Sequence, residues 1–393
     1  MMRLPYDLEA RRPWLVPEVP EAEHARRLAT LRSALAAAGL DALVAWSGPP
    51  AFAAARWLSG LQPVYGNAFV VVRADGRLSV TMDGLLHAEP MHSMAWTCRV
   101  EDLRCTPGPL YGRPVEEAAL LAADAVGRAR RIGLAGGALM PHGLRAALDA
   151  RLPGLVPADA LLARARMLKS PVEVALMERA AAAADAAYEA IFDTLAPGVE
   201  ESEVAATAVA AIARAGGREA FPTCVVGGAL AGLKHALPRR RRLEPGEMVF
   251  LDLGAVIDGY CSDVSRCTLV GGRAAGAAAD LLAVAEELWA AGLEAMRPGR
   301  SVDEVAQALS RVVRGTRWEQ DFYGSGFGHG IGLELFEAPG GLYAGSPTLL
   351  EPGMTLAYEP MVVVAGLGTG VVEDTLLITE DGHRLLSRAR RRA

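Results

Sequence analysis

The sequence predicts an α/β domain followed by an α+β domain built with pseudo-twofold symmetry. Three observations predict it. Up to about residue 160, short apolar runs alternate with alanine-rich helical stretches. Beyond that point, two helix–turn–helix units about a hundred residues apart each precede β-rich segments. Those segments carry isolated acidic residues and one histidine in otherwise apolar surroundings.

Residues 21–40, EAEHARRLATLRSALAAAGL, place apolar side chains at helical spacing and end on a glycine stop. The run DALVAWS at 41–47 reads as a buried strand, and NAFVVVRADGRLSVTM at 67–82 as a hairpin turning at Asp75-Gly76. Helices at 115–130 and 143–151 flank the short strand RIGLAG. The first strand is not followed by a glycine-rich phosphate loop, so this layout does not imply a dinucleotide site. The boundary falls near residue 160, giving domains 1–160 and 161–393. Pro171 then opens a long helix, PVEVALMERAAAAADAAYEAIFDTL, at a first-turn position that tolerates a missing N–H. Pro-Gly pairs at 197–198 and 298–299 each end one helix and precede a second, VEESEVAATAVAAIARAG and SVDEVAQALSRVVRG.

With 393 residues, 51% hydrophobic and 22% charged, the chain belongs with soluble globular proteins and is long enough for two cores. A formal charge of −6 gives no general attraction to nucleic acid. The basic runs Arg239–Arg242 and Arg388–Arg392 read as a solvated turn and a solvated end. Five cysteines without metal-knuckle spacing fit a reducing cytoplasm, and Cys261 reads as a buried inert thiol. The first residues, MMRLPYDLEARRPW, lack the apolar core of a signal peptide, and no apolar stretch is long enough to span a membrane.

Candidate chemistry concentrates in Asp252, Asp263, His329, Glu359 and Glu373. Four of the runs that hold them read VFLDLG at 249–254, FGHGIG at 327–332, TLAYEP at 355–360 and VVEDTL at 371–376. A charge in such a run is costly without a partner. A single one of these carboxylates could be satisfied by an arginine or a helix end, but five such residues in order point to a shared cation. Four carboxylates and one imidazole make a ligand shell for two divalent metals. Hard oxygens with one histidine suit Mn, Co, Fe or Zn, and the absence of thiolates argues against a structural zinc knot. Two adjacent metals can activate a shared water and polarise a carbonyl. The run GSGFGHGIG at 324–332 lacks the strand-to-helix context of a phosphate loop, so its glycines are read as allowing close backbone approach. Gly366, Gly368 and Gly370 suit a tight hairpin before Glu373, and His24, His87, His92, His142 and His383 have no ligand spacing.

In these motifs the C-terminal half resembles the peptidase/creatinase family, the pita-bread fold of methionine aminopeptidase, aminopeptidase P and prolidase. The resemblance rests on LDLGAVIDGYCSD, where Asp252 and Asp263 are eleven residues apart, on Gly328-His329-Gly330-Ile331-Gly332, on LEPGMTLAYEP at 350–360 and on GVVED at 370–374. It runs from about residue 165 to 385. It implies that Asp252 binds one metal, that His329 and Glu359 bind the other, and that Asp263 and Glu373 bridge. It also implies a role for His235, seventeen residues before Asp252, as a hydrogen-bond donor to charge that builds in the transition state. The N-terminal half resembles the creatinase-type domain. By the same resemblance the protein is expected to be a homodimer whose partner closes the active site, with Trp57–Tyr65 near its mouth.

Two positions depart from the family pattern. Peptidases of the family carry a histidine seven residues after the ligand histidine, where this chain has Phe336, and proline-directed members carry an arginine two residues before the last glutamate, where it has Val371. Two apolar side chains in this pocket are expected to leave a substrate carboxylate unpaired, so that Xaa-Pro dipeptides are poor substrates. The sequence therefore implies a dinuclear metal hydrolase that cleaves a C–N bond in a small, peptide-like substrate, Xaa-Pro peptidase-like in its core. One alternative is a specialised non-peptidase member, a hydrolase or lyase like creatinase, ectoine hydrolase or dimethylsulfoniopropionate lyase. Another is a binding module that kept the fold and lost catalysis. Neither nucleic acid nor a membrane is an expected partner.

Overall fold

The computed structural model describes residues 19–49, 51–63, 66–82, 98–100, 102–106, 116–272 and 274–391. The N-terminal stretch read for a leader, His87, His92, the last two residues of Trp57–Tyr65 and Arg392 lie outside the described residues. The chain divides into two compact units, Met1–Arg166 and Met167–Ala393. The division falls at the end of the helix Asp159–Met167, whereas the sequence pattern alone places the boundary at its start.

The first unit contains α1 (Glu21–Ala37), β1 (Ala42–Ser47), α2 (Ala53–Ser59), β2 (Ala68–Arg73), β3 (Leu78–Met82), β4 (Asp102–Cys105), α3 (Glu116–Val126), β5 (Ile132–Ala135), α4 (His142–Arg151), β6 (Val156–Pro157) and α5 (Asp159–Met167). Its six-stranded sheet has the order β4-β3-β2-β1-β5-β6. Every residue of β1 is buried, as an apolar run at a sheet centre must be. β1 pairs antiparallel with β2 and parallel with β5. β2 and β3 form the predicted hairpin, and Gly76 supplies the positive φ of 92° that its turn requires. Trp46, Phe69, Leu134 and Leu144 fill the core between sheet and helices.

The second unit repeats one design twice. In its first half, α6 (Pro171–Thr194) and α7 (Glu201–Arg214) precede β7 (Arg218–Glu219), β8 (Cys224–Gly227), β9 (Met248–Leu253), β10 (Ala255–Ile257), β11 (Tyr260–Cys261) and β12 (Val264–Leu269). In its second half, α8 (Gly276–Ala295) and α9 (Val302–Val313) precede β13 (Gly328–Gly330), β14 (Glu337–Gly341), β15 (Thr355–Tyr358), β16 (Met361–Val364), β17 (Gly368–Val371), β18 (Asp374–Ile378) and β19 (His383–Leu385). Reciprocal capping boxes start α6 at Ser170/Glu173 and α9 at Ser301/Glu304. The antiparallel sheets β12-β9-β8 and β14-β13-β15-β18-β19 carry the strands that matter for function. A tyrosine locks helix to sheet in each half. The Tyr188 hydroxyl is 3.1 Å from the Leu251 carbonyl and 2.8 Å from that of Val264, and Tyr358 donates to Leu288 at 2.8 Å.

Both basic runs differ from the solvated reading. Arg239 donates from Nε and Nη2 to the fully buried Glu201 at 2.9 and 2.6 Å, and Arg241 pairs with Glu247 at 2.6 Å. Glu201 also accepts the Gly227 and Arg239 backbone N–H groups, each at 3.0 Å. Only Arg240 and Arg242, with side chains 89% and 70% exposed, are mainly solvated. The run thus anchors the β8–β9 connection, because alternate side chains face a buried acid. In the C-terminal run, the Arg388 N–H donates to Asp185 at 2.9 Å, and Arg391 lies 3.7 Å above the Trp289 ring. That segment is docked on α6 and α8, held by acids and rings that lie far away in sequence.

Candidate metal centre

Neighbouring strands deliver the candidate ligands from both halves of the second unit. Asp252, in β9, stands in register with Cys224 of β8 and Ser265 of β12. Asp263 immediately precedes β12. Its N–H donates to Thr375 Oγ1 at 3.0 Å, and that hydroxyl donates back to the Asp263 carbonyl at 2.9 Å. His329 lies at the centre of β13, opposite Ala357 of β15. Glycine beside it is a steric necessity, since a Cβ at Gly328 would sit 2.2 Å from the Ala357 carbonyl oxygen and one at Gly330 2.4 Å from that of Glu337. Glu359 follows β15. Glu373 lies between β17 and β18, where its N–H donates to the Ser265 carbonyl at 3.0 Å and its carboxylate accepts the Ser265 hydroxyl.

All five border one cavity of about 260 Å³, together with His235 and Phe336. Acid-type and imidazole atoms of Asp263, His329 and Glu373 lie within 4.8 Å of one another. The His329 Nδ1 is 3.1 Å from the Gly330 carbonyl, which makes it the protonated nitrogen and leaves an Nε2 lone pair 3.4 Å from Asp263 Oδ2. Burial lowers the His329 pKa, which favours the neutral ring. An unprotonated Nε2 and a carboxylate oxygen are both acceptors and need a cation or a proton between them.

The carboxylates show the same imbalance. Burial first, and then neighbouring carboxylates, raise the pKa of Asp252, Asp263 and Glu373 well above the usual range. Glu359 is also raised by burial, partly offset by His329 and Lys234. The Oδ1 atoms of Asp252 and Asp263 are buried without a hydrogen-bond partner. Orphaned acceptors in a cluster of like charge fit divalent cations that prefer oxygen with one nitrogen. Cys224 and Cys261 line or adjoin this region, but burial pushes both thiols up to about 12, so they stay protonated.

His235 is exposed and has a φ of 58°, an uncommon conformation for a residue with a side chain. Phe336 is 64% exposed, and its ring centroid is 4.1 Å from that of His329. Val371 is not brought to the cavity. It is fully buried in β17, packed in the apolar core and paired with Met361 of β16. The hairpin that ends at Val371 turns its side chain inward, so this position cannot shape the substrate pocket as expected from its place in the motif.

Sequence reasoning also missed a cation. A second cavity of about 290 Å³ shares His329, Phe336 and Glu359 with the first and adds Lys234 and Tyr323. The Lys234 ammonium lies 3.9 Å from the Tyr323 ring centroid. One cation therefore borders the cavity on which Phe336 opens. The only clue in the sequence was adjacency to His235. Lys169 and Glu337 form a further buried pair at 2.6 Å beside the same cavity.

The model of metallopeptidase family M24 matches residues 175–380, and that of the creatinase/prolidase N-terminal domain matches residues 27–168. An uncharacterized peptidase of Bacillus subtilis strain 168, YqhT, is 33% identical over 235 residues, covering 59% of this chain and 65% of that protein. An Xaa-Pro dipeptidase of Pyrococcus furiosus is 31% identical over 235 residues, covering 59% of this chain and 66% of that protein. The chain thus spans just under two thirds of the length of these relatives. The solved structure of an Xaa-Pro dipeptidase from Bacillus anthracis superposes with a TM-score of 0.80 at 25% identity, covering 94% of this chain and 98% of that one.

Proposed function

The chain belongs to metallopeptidase family M24, and on that premise we propose that it is a dinuclear metal-dependent hydrolase cleaving a C–N bond in a small, peptide-like substrate. The observation that carries this reading is the pair of orphaned buried oxygens, Asp252 Oδ1 and Asp263 Oδ1, in a cluster that burial and mutual repulsion make unfavourable without a cation. Asp252, Asp263, His329, Glu359 and Glu373 would hold two ions of Mn, Co, Fe or Zn, with Asp263 and Glu373 shared. Bound ions supply Lewis acidity and an activated water. The chain's own residues do the rest. His235 reaches the cavity from a strained turn and donates a hydrogen bond to charge that builds on the scissile carbonyl. Phe221, Leu237 and Leu335 form an apolar wall that holds the group next to that carbonyl. The Ser265 hydroxyl and the Thr375 side chain fix the orientation of Glu373 and the Asp263 backbone.

Phe336, exposed at the mouth, favours a second reading within the same chemistry, a specialised non-peptidase hydrolase or lyase whose substrate presents an apolar or cationic group. Assay of Xaa-Pro dipeptides against amidino and sulfonio compounds, with Mn, Co, Fe and Zn supplied separately, decides between them. His235→Ala is expected to lower kcat about 10²- to 10³-fold at unchanged metal content. Loss of metal in that variant would make His235 a ligand and overturn its assigned role. Full activity after exhaustive chelation would overturn the dinuclear reading, and absence of bound metal would point to the binding-module alternative. The homodimer implied by the family is part of the same proposal and is measured by light scattering.

A further inference from the structure

Lys234 and His235 are consecutive, yet they border different cavities. His235 borders the chamber of the clustered carboxylates, and Lys234 the open chamber lined by Tyr323 and Phe336. The left-handed backbone at His235 makes this division possible, because it reverses the chain between the two side chains. The Arg239–Glu201 anchor ties down the chain five residues beyond Lys234.

The Lys234 chamber has the features of a binding site. Its charge is half-buried and set against an aromatic face. Among the described residues it has no ion-paired carboxylate. Gly326, Gly340 and Gly341 line the chamber, and a Cβ at Gly326 or Gly341 would meet only the Tyr323 or Tyr343 ring, at 3.9 and 3.7 Å. Room for a ligand is therefore built into the backbone. The Lys234 charge acts on Glu359, which borders this chamber too, and on Asp252; two divalent ions would balance the four carboxylates and leave the ammonium for an anion from outside. His329, Phe336 and Glu359 border both chambers, so one small molecule can span them.

We propose that Lys234 is a specificity-determining residue that anchors a carboxylate of the substrate in the Tyr323–Phe336 chamber, one step from the scissile bond. The anchor rests on the hydrolase reading above and adds the substrate's charge to it: an anionic molecule, with its anion read by an ammonium instead of a guanidinium or imidazole. A single ammonium is a point charge with rotatable donors, so it accepts a carboxylate in several orientations.

Two measurements on the metal-loaded protein test this. Calorimetry compares L-proline with L-prolinamide, and kinetics compares L-alanyl-L-proline with its carboxamide. The free acid is expected to bind about 10- to 100-fold more tightly than the amide, the range of a hydrogen bond to a charged group. Lys234→Met should bring that ratio to about one, and Lys234→Arg should keep most of it. In turnover the loss should fall on KM rather than kcat, because the contact is made equally in ground and transition states. Equal binding of acid and amide, binding of neither, or a ratio unchanged in Lys234→Met would each overturn the anchor. The Arg variant guards against a folding defect. A calorimetric ratio that collapses in Lys234→Met without any dipeptide turnover would sustain the anchor and defeat the peptidase reading alone.

Discussion

Glu373 and Asp374 are consecutive carboxylates, each 2% exposed, in opposite electrostatic settings. Asp374 accepts Arg266 Nη2 at 2.9 Å, Trp289 Nε1 at 2.9 Å and the Ser387 hydroxyl at 2.8 Å. Glu373 accepts the Ser265 hydroxyl and otherwise faces Asp263, Glu359 and Asp252, which add to burial in raising its pKa. Successive side chains at the start of β18 point to opposite faces, one into the scaffold and the other into the cavity. A buried charge with a full set of donors holds the fold together. A buried carboxylate among its own kind is unfavourable until a proton or a cation joins it.

That contrast can be broken by mutation. Asp263→Ala should abolish metal binding and activity together, read by elemental analysis and turnover, because in the proposed dinuclear site this carboxylate would be shared by both ions. A variant that keeps its metal would remove Asp263 from the cation set. The metal-free protein should also depend on pH with a defined sign. The folded carboxylates have raised pKa values, so folding binds protons more tightly than the unfolded chain does. Their stabilising contribution is complete below the ordinary carboxylate range and is lost as pH rises through the raised values. The thermal midpoint after chelation should therefore decline as pH rises above the ordinary carboxylate range of about pH 4, and saturation with Mn should flatten the decline. A flat profile without metal would contradict the electrostatic account.

On the scaffold side, Asp374→Ala should cost about 3–5 kcal/mol in a urea titration, because it strands the buried Arg266 guanidinium. The folded fraction should still bind metal. Arg239→Ala should cost about 1–3 kcal/mol by removing two bonds from a buried acid. Arg240→Ala, its exposed neighbour, should stay within about 0.5 kcal/mol. Equal effects of the two arginine variants would mean that the Glu201 anchor contributes nothing to the loop.

Much of the second unit was legible because its information is local. Asp252 and Glu359 occur in or just after apolar strands, and His329 lies between glycines whose missing Cβ atoms make room for neighbouring carbonyls. The helix starts at Pro171 and Val302 follow from caps within three residues. The pocket was less legible. Phe336 and Val371 are both apolar departures from one motif, yet one is 64% exposed and the other fully buried. Strand pairing decides that difference, and pairing partners are not written beside the residue.

The sequence by itself determined the α/β and α+β pattern, the strand and turn context of the acidic residues, and the conflict that five charged groups in apolar runs create. Those properties depend on periodicity, caps and residues a few positions apart. Tertiary structure alone decided which charges are paired. Glu201 meets Arg239 across 38 positions, Lys169 meets Glu337 across 168, and Asp263 finds Thr375 across 112. It also decided that Lys234 opens onto a chamber while Arg239, five residues on, closes over a buried acid. A charge's partner is chosen by desolvation and packing in three dimensions, and the local pattern carries no record of that choice.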